Sequence, residues 1–459
     1  MTPVPAAGHA VVIGAGIAGL LAAGVLSDAF ARVTVIERDH LDPIPVPRKG
    51  VPQGRFPHAM QARGLEALEQ LLPGLRHQLT AAGAPPVDFC RDSRIHFPRG
   101  APPPMASDIR IQPVSRPLLE NTVRDRILRL PGVHLRDGCA VTAITAHENR
   151  GTVTGVTLLQ RRRGLPTGTA ESIPVESIPA ELVVDASGRG SHLPDWLAAL
   201  GWPRVTETIV DPRAGYAARG YRLTEQTAPV WRALFELPQP PHTPRGAAVL
   251  RVENDRLLVA LQGAAGDHPP TDEHGFHAFM KSLSCDLYET VRHLEPDTVV
   301  MRYARTANRR RHYHRLTPWP DGLIVLGDAA CVFNPVYAQG MTVAALEALA
   351  LRDLLTRHPN TALHGRTHQF QRRLARITTW PWILATIPDR AWQDTQPPAY
   401  TRLALWYLDH WQRLVPHNPR MFHDIARITG MLATPLLFAH PRHLTRLAIN
   451  ALPKRRTEW

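Results

Sequence analysis

The chain has 459 residues, 44% hydrophobic and 20% charged, and its 53 Lys and Arg against 40 Asp and Glu give a net charge of +13. That length asks for two or three packed domains, and the composition excludes a disordered or fibrous chain. The charge is a poor argument for nucleic acid: three of the basic residues are lysines (Lys49, Lys281 and Lys454), and the Arg161–Arg163 and Arg309–Arg311 runs lack interleaved aromatics.

Residues 9–26 are nearly continuously apolar over a membrane-span length, but glycines at 14, 16, 19 and 24 break the run into a buried strand and a buried helix. Ala10–Ile13 reads as a central parallel strand, Gly14-Ala-Gly16-Ile-Ala-Gly19 as a turn, Leu20–Ala29 as a helix, and Arg32–Ile36 as a second strand ending in Glu37-Arg38. Gly14 permits the tight turn, Gly16 admits a pyrophosphate close to the backbone, and Gly19 lets helix and strand pack closely. The helix N-terminus offers free N–H groups and a positive dipole end to the phosphates. Glu37, 18 positions beyond Gly19, suits a ribose hydroxyl and disfavours a 2′-phosphate. These elements define a dinucleotide site without separating FAD from NAD.

Further along, 84–104 and 161–180 read as loops, and Pro117–Leu130 as a helix. Leu182-Val-Val-Asp185 is a strand ending in an acid, followed by a tight turn at Gly188. Gly246–Glu253 and Arg256–Gln262 flank Asn254-Asp255 as a hairpin, and Phe276–Leu294 reads as a helix over that sheet. Gly322–Gly327 is another buried strand, ending beside Asp328. Pro335–Thr342 leads into a helix to about Leu355, whose N-terminus can stabilise negative charge on a reduced flavin edge. Residues 361–459 are helical, apolar and broken by Pro; Trp380, Trp382, Trp392, Trp406 and Trp411 there roof a wide pocket or form plain core. That stretch is the one segment suited to a membrane surface, and no membrane contact is expected. Cys90, Cys139, Cys285 and Cys331 lie far apart with no ligand spacing, so neither zinc nor a disulfide framework is expected and a cytoplasmic location is.

With these segments on the page, the chain resembles the FAD-dependent aromatic hydroxylase superfamily, which has the para-hydroxybenzoate hydroxylase fold. Within it, the chain is most similar to bacterial FAD-dependent epoxidases of polyether biosynthesis. The likeness rests on Arg48–His58, Ser115–Glu120, Asp185–Ser191, Ala307–Arg311, Gly327–Met341 and Pro381–Thr386, in the expected order. It implies an α/β fold: a Rossmann-like FAD-binding domain made of 1–75, 105–200 and 300–360, an inserted β-sheet substrate domain at 205–300, and a helical C-terminal region at 361–459. It also implies FAD contacts by Arg48, Arg116, the Val141 backbone, Asp328 and the Met341 N–H. With Gly14, Gly16, Gly19, Glu37, Arg38, Asp185, Pro335 and Gly340 these make up the expected cofactor site. Arg116 and Arg124 also read as solvated helix charges. Two departures stand out: Asp185-Ala-Ser-Gly188 where the family often has Asp-Gly, and Ala338 where it often has Gly.

The activity implied is a monooxygenase. NAD(P)H reduces FAD without a dedicated nicotinamide fold, since no second GxGxxG follows, and a C4a-hydroperoxide on the flavin delivers oxygen to an alkene or electron-rich ring. The expected substrate is a lipophilic polyketide or terpenoid. No acid–base dyad is legible and no catalytic residue is assigned; His58, Asn334 and Tyr337 are polar cavity candidates or structural groups. The rival is a cyclase of polyketide biosynthesis with a structural, non-redox flavin.

Overall fold

The computed structural model describes residues 6–48, 50–148, 151–160, 175–358, 363, 365–393 and 396–451; Lys49, Lys454 and the Arg161–Arg163 run lie outside them. Five parallel strands form the first sheet, in the spatial order Leu323–Val325, Leu182–Asp185, Ala6–Ile13, Phe30–Ile36 and Val133–Arg136. Ala10–Ile13, Leu182–Val184 and Leu323–Val325 are continuous apolar runs because both faces are covered, and Val11, Val12, Val183 and Val184 are fully buried. Helices Ile17–Leu26, Arg116–Ile127 and Gly340–Arg357 cover one face. An antiparallel sheet of Cys139–Ala146, Val153–Gln160 and Val175–Pro179 covers the other. The register Ile13↔Asp185 and Asp185↔Val325 aligns three strand ends, so the loops after Ile13, Asp185 and Val325 meet at one edge.

The second sheet runs Glu295–Pro296, Gly215–Arg222, Arg256–Gly263, Arg245–Val252, Ala233–Glu236, Ser93–His96. Alternation sorts its faces. Ala217, Tyr221, Val249, Val259 and Leu261 pack under helices Glu273–Lys281 and Leu287–Val291, while Tyr216, Ala218 and Ala260 face the other way. Asn254 and Asp255 turn the expected hairpin with φ of +59° and +48°.

Three expectations change. Segment 84–104 holds Val87–Asp88, a short helix Phe89–Asp92 and the strand Ser93–His96, which pairs in parallel with Ala233–Glu236. Val175–Pro179 is a strand, not a loop, held by Val153–Gln160; 161–174 lie outside the described residues. The single helix expected over Phe276–Leu294 is two, because the Glu236 carboxylate takes the N–H groups of Ser284 and Cys285 and pins the chain to the sheet between them.

Helices Thr367–Ile377, Thr379–Gln393, Ala399–Leu414, Pro419–Thr429 and Pro441–Ala451 follow. Their tryptophans divide: Trp411 is core, whereas Trp392 and Trp406 line a cavity. All four cysteines are free and buried. Among the described residues no helix is long and apolar enough to cross a membrane.

Candidate flavin site and adjoining cavity

The loop after Ile13 is built as its glycines require. Gly14 has φ of +101°, and a Cβ there would sit 2.5 Å from the Ala186 carbonyl oxygen; one at Gly19 would come within 1.9 Å of the Gly14 carbonyl. Gly16 is different. A Cβ there meets nothing nearer than Arg48 Nη2 at 3.8 Å, so this backbone faces open space at the start of helix Ile17–Leu26.

Glu37 closes the loop by accepting the N–H of Ala15 at 2.8 Å and of Asp39 at 3.0 Å. Its other partner is Arg48, at 3.0 Å. Arg48 also pairs with Glu120, and Glu120 pairs with Arg116 at 2.9 Å. The result is an alternating web, Glu37–Arg48–Glu120–Arg116, along the dinucleotide loop. Burial alone would lower the Arg48 pKa, but Glu120 and Glu37 outweigh it and raise it. Burial would raise Glu120, but Arg116 and Arg48 hold it below the usual carboxylate value. Arg116 begins its helix, where the Ser115 hydroxyl accepts the Leu118 N–H at 3.3 Å. Arg38 is exposed beyond Glu37. The strand carrying Val141 starts against this corner, with Cys139 N–H on the Glu37 carbonyl, and its ladder slips register just after Val141.

Asp185 is fully buried, and its carboxylate is occupied within its own turn by Ser187 and Ser191. It thus shapes the turn that abuts Gly14. Asp328 is the opposite case. Its carboxylate has no hydrogen-bond partner among the described residues, and burial pushes its pKa up against the pull of Arg189 and Arg116. It lies 3.6 Å from where a Cβ on Gly340 would be. The first backbone bond of helix Gly340–Arg357 runs from Val343 N–H to Gln339 O, at 2.9 Å. The N–H groups of Gly340, Met341 and Thr342 therefore precede the helix's own ladder. Pro335 is exposed in the turn before this helix. Ala338 stands in the left-handed region at φ +51°, which explains why glycine suits this position. His58 donates Nδ1–H to the Phe56 carbonyl at 2.9 Å. Burial, with help from Arg116, pushes its pKa down to about 4, so it is neutral at physiological pH.

Beyond the Pro335–Gln339 turn lies a cavity of about 1170 Å³, bounded by the second sheet and the C-terminal helices. Phe97, Phe235, Leu384, Trp392, Leu405 and Trp406 supply much of its apolar wall. Its polar end is a network that joins Asn334 and Tyr337, two of the polar candidates, to Tyr216, Asn308 and Asp389, which the sequence did not reveal. The Asp389 carboxylate accepts from Tyr337 Oη at 2.7 Å, Asn308 Nδ2 at 2.6 Å and Asn334 Nδ2 at 3.0 Å, and Tyr216 Oη donates to Asn334 Oδ1 at 2.6 Å. Burial pushes Asp389 up to about 6 although these donors pull it down. For Asp389 the legible signal was that it is the sole acid in the apolar helix Thr379–Gln393.

Glycines that admit a phosphate, an unpartnered strand-end carboxylate and an open helix N-terminus fit a flavin dinucleotide, and with the deep cavity beside them they define a flavin-dependent oxidoreductase. No family model matches the chain. Protein Rv3254 of Mycobacterium tuberculosis is 33% identical over 387 residues, covering 83% of this chain and 80% of that one. Kynurenine 3-monooxygenase of Salinispora arenicola is 26% identical, covering 77% and 73%. Among solved structures, the flavin-dependent brominase Bmp2 superposes with a TM-score of 0.65 at 15% identity, covering 97% of this chain and 98% of that one. The Diels-Alderase PyrE3 of pyrroindomycin biosynthesis gives 0.58 at 18% identity, covering 92% and 80%. The chain belongs to the FAD-dependent hydroxylase and monooxygenase superfamily, and it is an FAD-dependent enzyme.

Proposed function

We propose that the protein inserts one oxygen atom of O2 into a lipophilic natural-product intermediate, by alkene epoxidation or ring hydroxylation. The second oxygen leaves as water, and NAD(P)H is oxidised to NAD(P)+. The observation that carries this reading is the cavity of about 1170 Å³, largely apolar and ending at the Asn334–Gln339 turn beside the open N-terminus of helix Gly340–Arg357. That volume suits a polyketide or terpenoid better than a single small ring. Bound FAD supplies the redox and oxygen chemistry.

This chain's residues would place and shelter it. The Gly14–Gly19 loop and helix Ile17–Leu26 would hold the diphosphate, and Glu37 would take a ribose hydroxyl. Asp328 would accept from the ribityl chain. The N–H groups of Gly340 and Met341 would stabilise charge on the flavin edge. Arg48, Arg116 and Arg38 would line the dinucleotide, the Val141 backbone would meet the adenine, Asp185 would hold the adjoining turn, and Pro335 would border the ring. The apolar walls exclude water from the reacting centre.

Mixing the purified protein with NADPH, then NADH, under anaerobic conditions tests this reading. The flavin absorbance near about 450 nm bleaches and returns with air if the flavin cycles. A band that persists with both donors, and with polyene or phenol substrates added, overturns it in favour of a cyclase with a structural flavin.

A further inference from the structure

The hydrogens at the polar end of the cavity can be assigned one by one. Backbone groups fix both asparagines: the Asn334 N–H donates to Asn308 Oδ1 at 2.8 Å, and the Val336 N–H donates to Asn334 Oδ1 at 3.3 Å. Each therefore turns its Nδ2 to Asp389. The hydrogen of Tyr216 goes to Asn334 Oδ1, an acceptor, and the hydrogen of Tyr337 goes to the Asp389 carboxylate. Gln61 is fixed in the same way. Its Nε2 donates to the Tyr337 carbonyl at 2.8 Å, and its Oε1 is left buried without a partner.

Tyr216, Tyr337, Asn334, Asp389 and Gln61 all line the cavity. Both hydroxyl hydrogens are committed to the network, as are both hydrogens of Asn308 Nδ2 and one of the two on Asn334 Nδ2. What remains towards the cavity is mostly acceptor capacity, the lone pairs of the Tyr337 oxygen and the unused positions on Asp389, against one further hydrogen each on Asn334 Nδ2 and Gln61 Nε2. The cavity's cations stand elsewhere. Arg402 is exposed on helix Ala399–Leu414, and Arg413, on the same helix, is paired with Asp409 at 2.8 Å.

We propose that the inner end of the cavity is an acceptor-rich, anionic subsite that takes a substrate through a neutral hydroxyl or phenol hydrogen and turns away carboxylates. A hydroxyl there donates to the Tyr337 oxygen or to an unused position on Asp389. A carboxylate brings no hydrogen and meets the Asp389 charge at close range, in a setting that screens it little. The subsite thus selects by proton inventory, not by shape.

This inference rests on the cavity being the substrate's. Its test is calorimetric titration of the FAD-loaded protein at neutral pH with two probes of equal size, 2-naphthol and 2-naphthoate. The expected result is at least about tenfold tighter binding of the naphthol. Asp389→Asn should narrow that ratio by strengthening naphthoate binding while leaving naphthol no tighter, with FAD content confirming the fold. Equal or tighter naphthoate binding overturns the proposal, as does binding of neither probe. A protein that binds neither probe yet is reduced by NADPH loses the subsite and keeps the monooxygenase reading. A protein that prefers naphthol yet is never reduced loses only the latter.

Discussion

Glu347 offers a sharp test of the electrostatics behind the flavin site. It is fully buried in helix Gly340–Arg357, with Oε2 accepting the Gly327 N–H at 2.7 Å and Oε1 buried without a partner. Burial, opposed by the Gly327 bond and reinforced by Asp328, pushes its pKa from 4.5 to about 8. The folded protein therefore holds the acid neutral at pH 7 while the unfolded chain ionises it. An acid with a raised pKa contributes its full stability below the unfolded value and loses it as pH rises through the folded one. From pH 4.5 to 7 the loss is about 1.4 kcal/mol per pH unit, or roughly 3 kcal/mol in all. Glu347→Gln reproduces the neutral acid, a carbonyl for Gly327 and a donor where Oε1 stands, without that loss. Urea unfolding of both proteins with excess FAD should show the variant more stable by about 3 kcal/mol at neutral pH, the gap closing towards pH ~5. A gap independent of pH, or a variant less stable at pH ~8, refutes the reasoning.

Other outcomes follow from the same geometry. Asp328→Ala should purify folded but largely colourless, because a hydrogen bond to a charged acceptor contributes about 1.5–3 kcal/mol to FAD binding; normal FAD content by absorbance contradicts the role assigned to Asp328. Ala338→Gly should raise thermal stability by about 0.5–1 kcal/mol, since it removes a side chain from φ +51°; calorimetry reads it. Arg48→Met leaves Glu37 without its cation and Glu120 with Arg116 alone, and should cost about 3 kcal/mol at neutral pH. Glu120 is depressed in the fold, so its paired contribution is present above its ordinary value and fades as pH falls; the variant's deficit in denaturant unfolding should shrink in acid.

The dinucleotide loop was legible because its determinants are local. Gly14, Gly16, Gly19 and Glu37 sit within one strand–helix–strand unit, and each answers to a steric or polar demand of its neighbours. Four of the five parallel strands announced themselves by their apolar residues, whereas Val133–Arg136, which carries His134 and Arg136 at the sheet's edge, did not. The strand Ser93–His96 did not, because it lies among prolines and glycines and owes its conformation to Ala233–Glu236, some 140 residues away. The Asp389 network was hidden for the same reason. Tyr216, Asn308, Asn334 and Asp389 come from four separate segments, and none is unusual alone. Asp185 looked like a ligand from its place at a strand end, and only the positions of Ser187 and Ser191 show both carboxylate oxygens in use.

The parallel sheet is assembled out of order along the chain. Leu182–Asp185 pairs with Ala6–Ile13 on one side, but its other neighbour, Leu323–Val325, is translated some 140 residues later, after the whole second sheet. During synthesis the growing polypeptide carries a fully buried, largely apolar strand with one unsatisfied edge for the time it takes the ribosome to add that insertion. A nascent or prematurely terminated chain ending before Leu323 would expose Val183 and Val184 as a template for pairing with other chains, so expression yield should depend on chaperone supply and on elongation rate through the insertion.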